Sequence, residues 1–178
     1  MTKLFAFVLL FLPMFAFSLE VSAVQKQQDG YYKITFCKLF KIENIALNRN
    51  SFGSFLQMPR EVGGYRNIAI TSKELDLKIK NAIENAAKKD TKNDIKNACQ
   101  KPNLKIISAR KVKEASSIIC QVSFDDSLDI IVFVSKYKKD KKDIYKVSYP
   151  QDFKFLDKEY KTQLRAFVLE NTKELLDN

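Results

Sequence analysis

The strongest constraint on how this chain can fold is that it repeats itself. Leu19-Glu-Val-Ser-Ala-Val24 lies over Leu104-Lys-Ile-Ile-Ser-Ala109 at an offset of 85 residues, and Ile70 to Ile83 lies over Phe155 to Val168 at the same offset. Between these anchors the second copy has a longer hairpin over 135–142. Aligning Pro150 with Pro59 raises the local offset to 91, and a shorter following loop restores 85. A fixed period of this kind reads as duplication of one supersecondary unit. It divides the chain into copy one, 19–89, and copy two, 104–178, joined by 90–103. A unit of ~70 residues buries only ~60% of its extended-chain surface and is marginal alone, so two copies gain by sharing an interface.

Each copy reads as strands followed by one helix. In copy one, Glu20 to Gln27 is a first strand, and Tyr31 to Phe40 alternates with Tyr32, Ile34 and Phe36 on one face. Ile42 to Leu47 and Phe52 to Met58 follow as strands, with Asp29-Gly30 as a turn signal. Thr71-Ser-Lys-Glu74 has the spacing of a capping box, and Leu75, Ile79, Ala82, Ile83 and Ala86 form a helical stripe behind it. In copy two the strands are 104–112, 117–124, 128–134 and 144–149, with a turn at Asp125-Asp126. Asp157 is positioned to cap a helix whose stripe is Tyr160, Leu164, Phe167, Val168, Asn171 and Leu175. The fold class is therefore α+β: two tandem repeats, each an antiparallel sheet of about four strands followed by one packing helix. The joining segment is rich in Lys, Asp and Asn, able to fray or to form a short helix on Ile95, Ala98 and Cys99, and it reads as a partly helical linker.

Residues 1–18 have the form of a secretory signal: Lys3, an apolar run from Leu4 to Phe17, and small residues at Ala16 and Ser18. The run is short of the ~20 residues that span a bilayer, and Pro13 interrupts it. Cleavage after Ser18 gives an exported, periplasmic or secreted, chain with no stable transmembrane span. An uncleaved anchor is the other reading, and an unused signal would leave the chain cytoplasmic.

The sequence contains no His, which removes Ser-His-Asp and Cys-His catalysis and imidazole metal sites. No Gly-rich phosphate loop, zinc-spaced cysteine pair or calcium loop is present, and neither enzyme activity, cofactor nor metal is expected. The formal charge of +10, or +9 without Lys3, makes a polyanion the natural partner to consider.

Copy one resembles the SpoVG family of bacterial septation and sporulation regulators. The likeness rests on Glu20 to Val24, on Gly53-Ser-Phe-Leu-Gln-Met-Pro59, on Gly64-Tyr-Arg-Asn-Ile-Ala69 and on Lys78-Ile-Lys-Asn-Ala-Ile83. The residues carrying it, Gly53, Phe55, Met58, Pro59, Ile68 and Ala69, are read as structural. Copy two keeps only the outline, with Tyr149-Pro150 standing for Met58-Pro59. The resemblance implies a non-enzymatic protein that dimerises and binds DNA or RNA in a septation-related role, here with both halves of the dimer in one chain.

For nucleic-acid binding the residues nominated are Arg66, Lys73, Lys78, Lys80, Lys88 and Lys89, on and beside the helix of copy one. Glu74, Asp76 and Glu84 among them also fit a solvated helix face. The lysine run 136–142 reads first as a charged hairpin tip that discourages edge pairing. The alternative function is a cell-envelope module binding protein or an anionic polymer. Of the three cysteines, Cys37 and Cys120 read as buried strand residues and Cys99 as an exposed reactive thiol, with a bridge from Cys99 to one of them as the other possibility.

Overall fold

A computed structural model describes residues 19–60, 66–89, 93–94, 99–113 and 115–177. The signal-like leader lies outside these residues, as do Gly64 and Tyr65 of the SpoVG-like run and Ile95 and Ala98 of the joining segment. The chain is α+β, with two antiparallel sheets and two helices. In chain order the elements are β1 (Val21–Lys26), β2 (Tyr32–Phe36), β3 (Phe40–Asn50), β4 (Gly53–Gln57), β5 (Ile68–Ile70) and α1 (Lys73–Lys89). There follow β6 (Asn93–Asp94), β7 (Leu104–Lys111), β8 (Ser117–Phe124), β9 (Leu128–Lys139), β10 (Lys142–Ser148), β11 (Phe153–Phe155) and α2 (Lys158–Asp177).

Alternation builds the strands, and left-handed turn residues set their register. Cys37 and Lys38 both have positive φ between β2 and β3, as do Asp125 and Asp126 between β8 and β9, and Asp140 and Lys141 between β9 and β10. Two consecutive residues of this hand twist a tight hairpin in the sense its strands require.

The first sheet has the order β11-β3-β2-β1-β6, with β4 paired farther along β3. The second has the order β10-β9-β8-β7, with β5 paired to β9. Each sheet therefore takes one strand from the other half of the chain. Ile68 and Ile70 of β5 face Ile130 and Leu128 of β9, while Phe153 and Phe155 of β11 face Ile42 and Phe40 of β3. The flanking hydrogen bonds run in parallel: Thr71 N–H donates to the Ser127 carbonyl, and Leu156 N–H donates to the Leu39 carbonyl. The four strands expected before each helix thus miss β5 and β11, because three-residue strands are too short to show alternation in sequence.

The exchange places both halves in one core. Phe40 stacks on Phe36 at 5.3 Å and Phe153 at 4.6 Å, and it meets Phe124 of β8 at 5.2 Å. α1 packs on β1, β4 and β5 through buried Leu75, Ile79, Ile83 and Ala86, as the stripe predicts, with Ala82 at its margin. α2 crosses β7 to β11, but its buried row is Tyr160, Leu164, Val168, Thr172 and Leu176. The expected stripe drifts at its far end, where Asn171 and Leu175 are exposed. The reason is a strict four-residue row, in which Thr172 satisfies its buried hydroxyl by donating to the Val168 carbonyl at 2.7 Å.

Both helix starts are capped. Asp157 accepts from Tyr160 N–H at 2.8 Å, as expected. On α1 the cap is Ser72, which accepts from Leu75 N–H at 3.3 Å, one residue later than the capping-box reading. Thr71 is instead held by β5's exchange, its hydroxyl donating to the Asp126 carbonyl at 3.1 Å.

The reading of Cys99 as a free thiol is overturned: Cys37 and Cys99 form a disulfide across a sequence separation of 62. After α1 the chain returns to the edge of β1, where Asn93 and Asp94 pair with Val24 and Ala23 as a short strand. That return brings Cys99 to the turn holding Cys37, so Cys37 is a turn residue and not a strand residue. Cys120, buried in β8, is the free cysteine, and burial pushes its thiol pKa up to about 11.

Candidate anion-binding surfaces

The lysines nominated on α1 divide into paired and isolated groups. Lys78 donates to Glu20 at 2.8 Å and contacts Glu74 at 2.9 Å. Burial acts to lower its pKa, but hydrogen bonds to Glu20 and Glu74 outweigh that and hold the ammonium above lysine's ordinary value. Lys80 contacts Asp76 at 2.6 Å, one helical turn back. These two side chains are therefore committed within the fold and are poor phosphate ligands. Lys73 and Lys88 are exposed but stand at opposite ends of α1, roughly 22 Å apart at 1.5 Å rise per residue. Lys89 ends the helix, and its side chain lies outside the described set. The nominated row is thus broken in the middle. The i,i+4 pairs were legible in sequence, whereas Glu20 reaches Lys78 only through the packing of α1 on β1.

Arg66 is exposed at the entry to β5. It lines a cleft of about 330 Å³ with Arg60, Met58, Ile68 and Asp76, so a guanidinium and a carboxylate share the same small space. The SpoVG-like residues around it differ in burial. Gly53, at φ +123°, opens β4 in a conformation that side chains rarely adopt, Met58 packs against the core, Pro59 is half-buried, and Ile68 is buried opposite Ile130. Phe55 is 43% exposed on β4, and Ala69 lies exposed opposite Asp129.

A larger basic surface stands at the β9–β10 hairpin. Its base is fixed by the end of α2, where Asp177 accepts from Lys136 at 2.7 Å and from the Tyr145 hydroxyl at 2.6 Å. Asp143 also contacts Lys136, at 3.1 Å, and Lys173 lies over the Tyr145 ring at 5.3 Å. Those hydrogen bonds to Asp177 and Asp143 raise the Lys136 pKa, and the bond from Lys136 depresses that of Asp177. Beyond this clasp, residues 137–143 are all exposed. Lys139 pairs with Lys142 and Lys138 with Asp143 across the ribbon, with Asp140-Lys141 at the turn. Lys138, Lys139, Lys141 and Lys142 form no ion pair among the described residues, and Tyr137 beside them is 47% exposed. Such a two-stranded ribbon can lay ammonium groups along a charged polymer.

Among the described residues, no group of three or more acidic, cysteine or histidine side chains is placed to hold a metal ion, and no helix is long and apolar enough to cross a membrane. No family model, curated protein or solved structure matches this chain.

Proposed function

We propose that this is an exported, non-enzymatic binding protein whose partner is an anionic polymer outside the cytoplasm, and that its chief contact is the lysine-tipped β9–β10 ribbon. The observation that carries the reading is the run of exposed residues 137–143, whose four lysines at 138, 139, 141 and 142 form no ion pair among the described residues and stand above the Lys136–Asp177–Tyr145 clasp. The Cys37–Cys99 disulfide supports export, since such bonds persist in oxidising compartments, and it agrees with the signal-like leader. The reciprocal strand exchange supports a duplicated unit working as a pseudo-dimer, monomeric in solution. The SpoVG resemblance would make the polymer a nucleic acid, with the septation role that follows from it. Export favours an envelope polymer.

Salt dependence tests the contact. Affinity of the mature chain for heparin and for a DNA duplex is measured between 50 and 200 mM salt, beside a variant with Lys138, Lys139, Lys141 and Lys142 all replaced by Gln. Each duplex phosphate contact contributes ~0.9 to the slope of log affinity against log salt, so the variant loses a slope of about 3.6 if all four bind. Equal slopes in the two proteins would exclude the ribbon, and absence of binding by the parent at 50 mM salt would exclude the function. Comparable binding of heparin and DNA is expected of a charge-reading envelope module, whereas a strong preference for DNA would move the reading to nucleic acid.

A further inference from the structure

At the opposite end of β10 from the lysine tip, roughly 23 Å away by strand rise, lies a second basic feature of different form. It is a cleft of about 530 Å³ between the loop after β10, the exchanged strand β11 and the first turns of α2. Aromatic side chains form part of its wall. Tyr149 meets Phe155 edge-on at 4.8 Å, and Phe153 lies behind both. Lys154, Lys158 and Lys161 line it and are exposed. None of the three forms an ion pair among the described residues. Lys161 lies over the Phe155 ring at 5.8 Å, and Lys154 stands in the field of Glu43, whose carboxylate is already held by Lys41 at 2.8 Å. The one acid in the lining, Asp157, uses an oxygen to cap α2. Tyr149 keeps its hydroxyl buried with no hydrogen-bond partner among the described residues, and burial pushes its pKa up to about 12, so it remains a proton donor at neutral pH.

The cleft at the corresponding place on the α1 side is lined differently, by Arg60, Arg66 and Asp76. At the 85-residue offset, Lys154, Lys158 and Lys161 correspond to Ala69, Lys73 and Asp76, and Phe155 corresponds to Ile70. One half has an alanine and an acid where the other has two lysines. Like charges brought together in a cleft repel one another unless an anion lies among them, and rings beside them offer a flat apolar surface.

We propose that this cleft binds a small organic phosphate carrying a planar ring, with the phosphate between Lys154, Lys158 and Lys161 and the ring against Tyr149 and Phe155. A phosphate monoester carries close to two negative charges at neutral pH and offers three acceptor oxygens, which suits three ammonium groups better than a carboxylate does. The volume matches a ligand of mononucleotide size. The site is independent of the polymer-binding ribbon and does not require that reading to hold.

The test is isothermal titration of the mature protein with adenosine 5′-monophosphate, ribose 5-phosphate, inorganic phosphate and adenosine. The expected order is the nucleotide tightest, the sugar phosphate and inorganic phosphate at least tenfold weaker, and adenosine undetected. Lys158→Gln and Lys161→Gln should each weaken the nucleotide about tenfold, with Lys158→Arg retaining most of the affinity. Phe155→Leu should weaken the nucleotide while leaving ribose 5-phosphate unchanged, which separates stacking from charge. The variant lacking the four ribbon lysines should bind the nucleotide as the parent does. The proposal is overturned if the nucleotide fails to bind at millimolar concentration, if the lysine variants keep parental affinity while folded by circular dichroism, or if nucleotide binding disappears with the ribbon lysines alone.

Discussion

Breaking the Cys37–Cys99 bond is the most informative perturbation of this fold. The bond joins the turn after β2 to the segment that returns from α1, with Cα atoms 5.1 Å apart. Its effect is chiefly on the unfolded chain, which loses freedom when a long loop is closed. For a separation of 62 residues the loop-closure relation gives an entropy loss of ~14 cal/mol/K, or about 4 kcal/mol at 25 °C. A folded chain of this kind has only ~5–15 kcal/mol to lose. Cys99→Ser in the oxidised protein should therefore lower the urea midpoint by about 2 M for a slope of ~2 kcal/mol/M. The assay is equilibrium urea unfolding followed by far-UV circular dichroism, on parent, Cys99→Ser and Cys37→Ser, each with and without reductant. Reductant should bring the parent to the level of the variants and leave the variants unmoved. A thiol count on the native oxidised parent adds an independent check: Cys120 alone should be free, and its burial should protect it from reagent until urea is added. Parent and variants with the same midpoint, or a native protein with three titratable thiols, would refute the tie.

Other perturbations test separate parts of the structure. Phe153→Ala removes a ring that is 3% exposed and shared between Phe40 and Phe155, and it should cost about 3–5 kcal/mol. Because β11 belongs to one sheet by hydrogen bonding and to the other half by sequence, that variant should still unfold in one transition, and two resolved transitions in calorimetry would contradict a shared core. Lys38→Gly relieves a side chain at φ 57° in the β2–β3 turn and should raise stability by about 0.5–1 kcal/mol, read as a higher urea midpoint; a lower midpoint would contradict the turn geometry. Asp177 has a depressed carboxyl pKa, principally because Lys136 donates to it, so the stability it provides is present above the ordinary carboxylate pKa of 3.8 and is lost as pH falls through its lower folded value. Asp177→Asn should thus be the less stable protein at pH 6, with the difference shrinking on acidification below pH ~4. A difference independent of pH would remove the clasp from the account.

The sequence by itself determined what depends on near neighbours. The order of strands before each helix, the cap at Asp157, the α1 stripe of Leu75, Ile79 and Ile83, and the turn at Asp125-Asp126 all arise from residues within a few positions of one another. Backbone geometry imposes those spacings wherever the segment finally lies. Tertiary structure decided which elements meet. β5 and β11 are three residues each, too short to carry a periodicity, and their partners β9 and β3 lie far along the chain. The polar sequence around Cys99 points to an exposed thiol and leaves open which cysteine a bridge would take, whereas its environment is set by Cys37 and Glu20, brought to it by the pairing of β6 with β1. Lys78 sits among lysines in sequence, yet Glu20, 58 residues away, claims it. Lys154, Lys158 and Lys161 carry no motif in the sequence, and they share one cleft because β11 leads directly into α2. Periodicity shows which face of an element is buried, but the partner on that face is chosen by the packing of the whole chain, and the charges left free for a ligand are those that packing has not already paired.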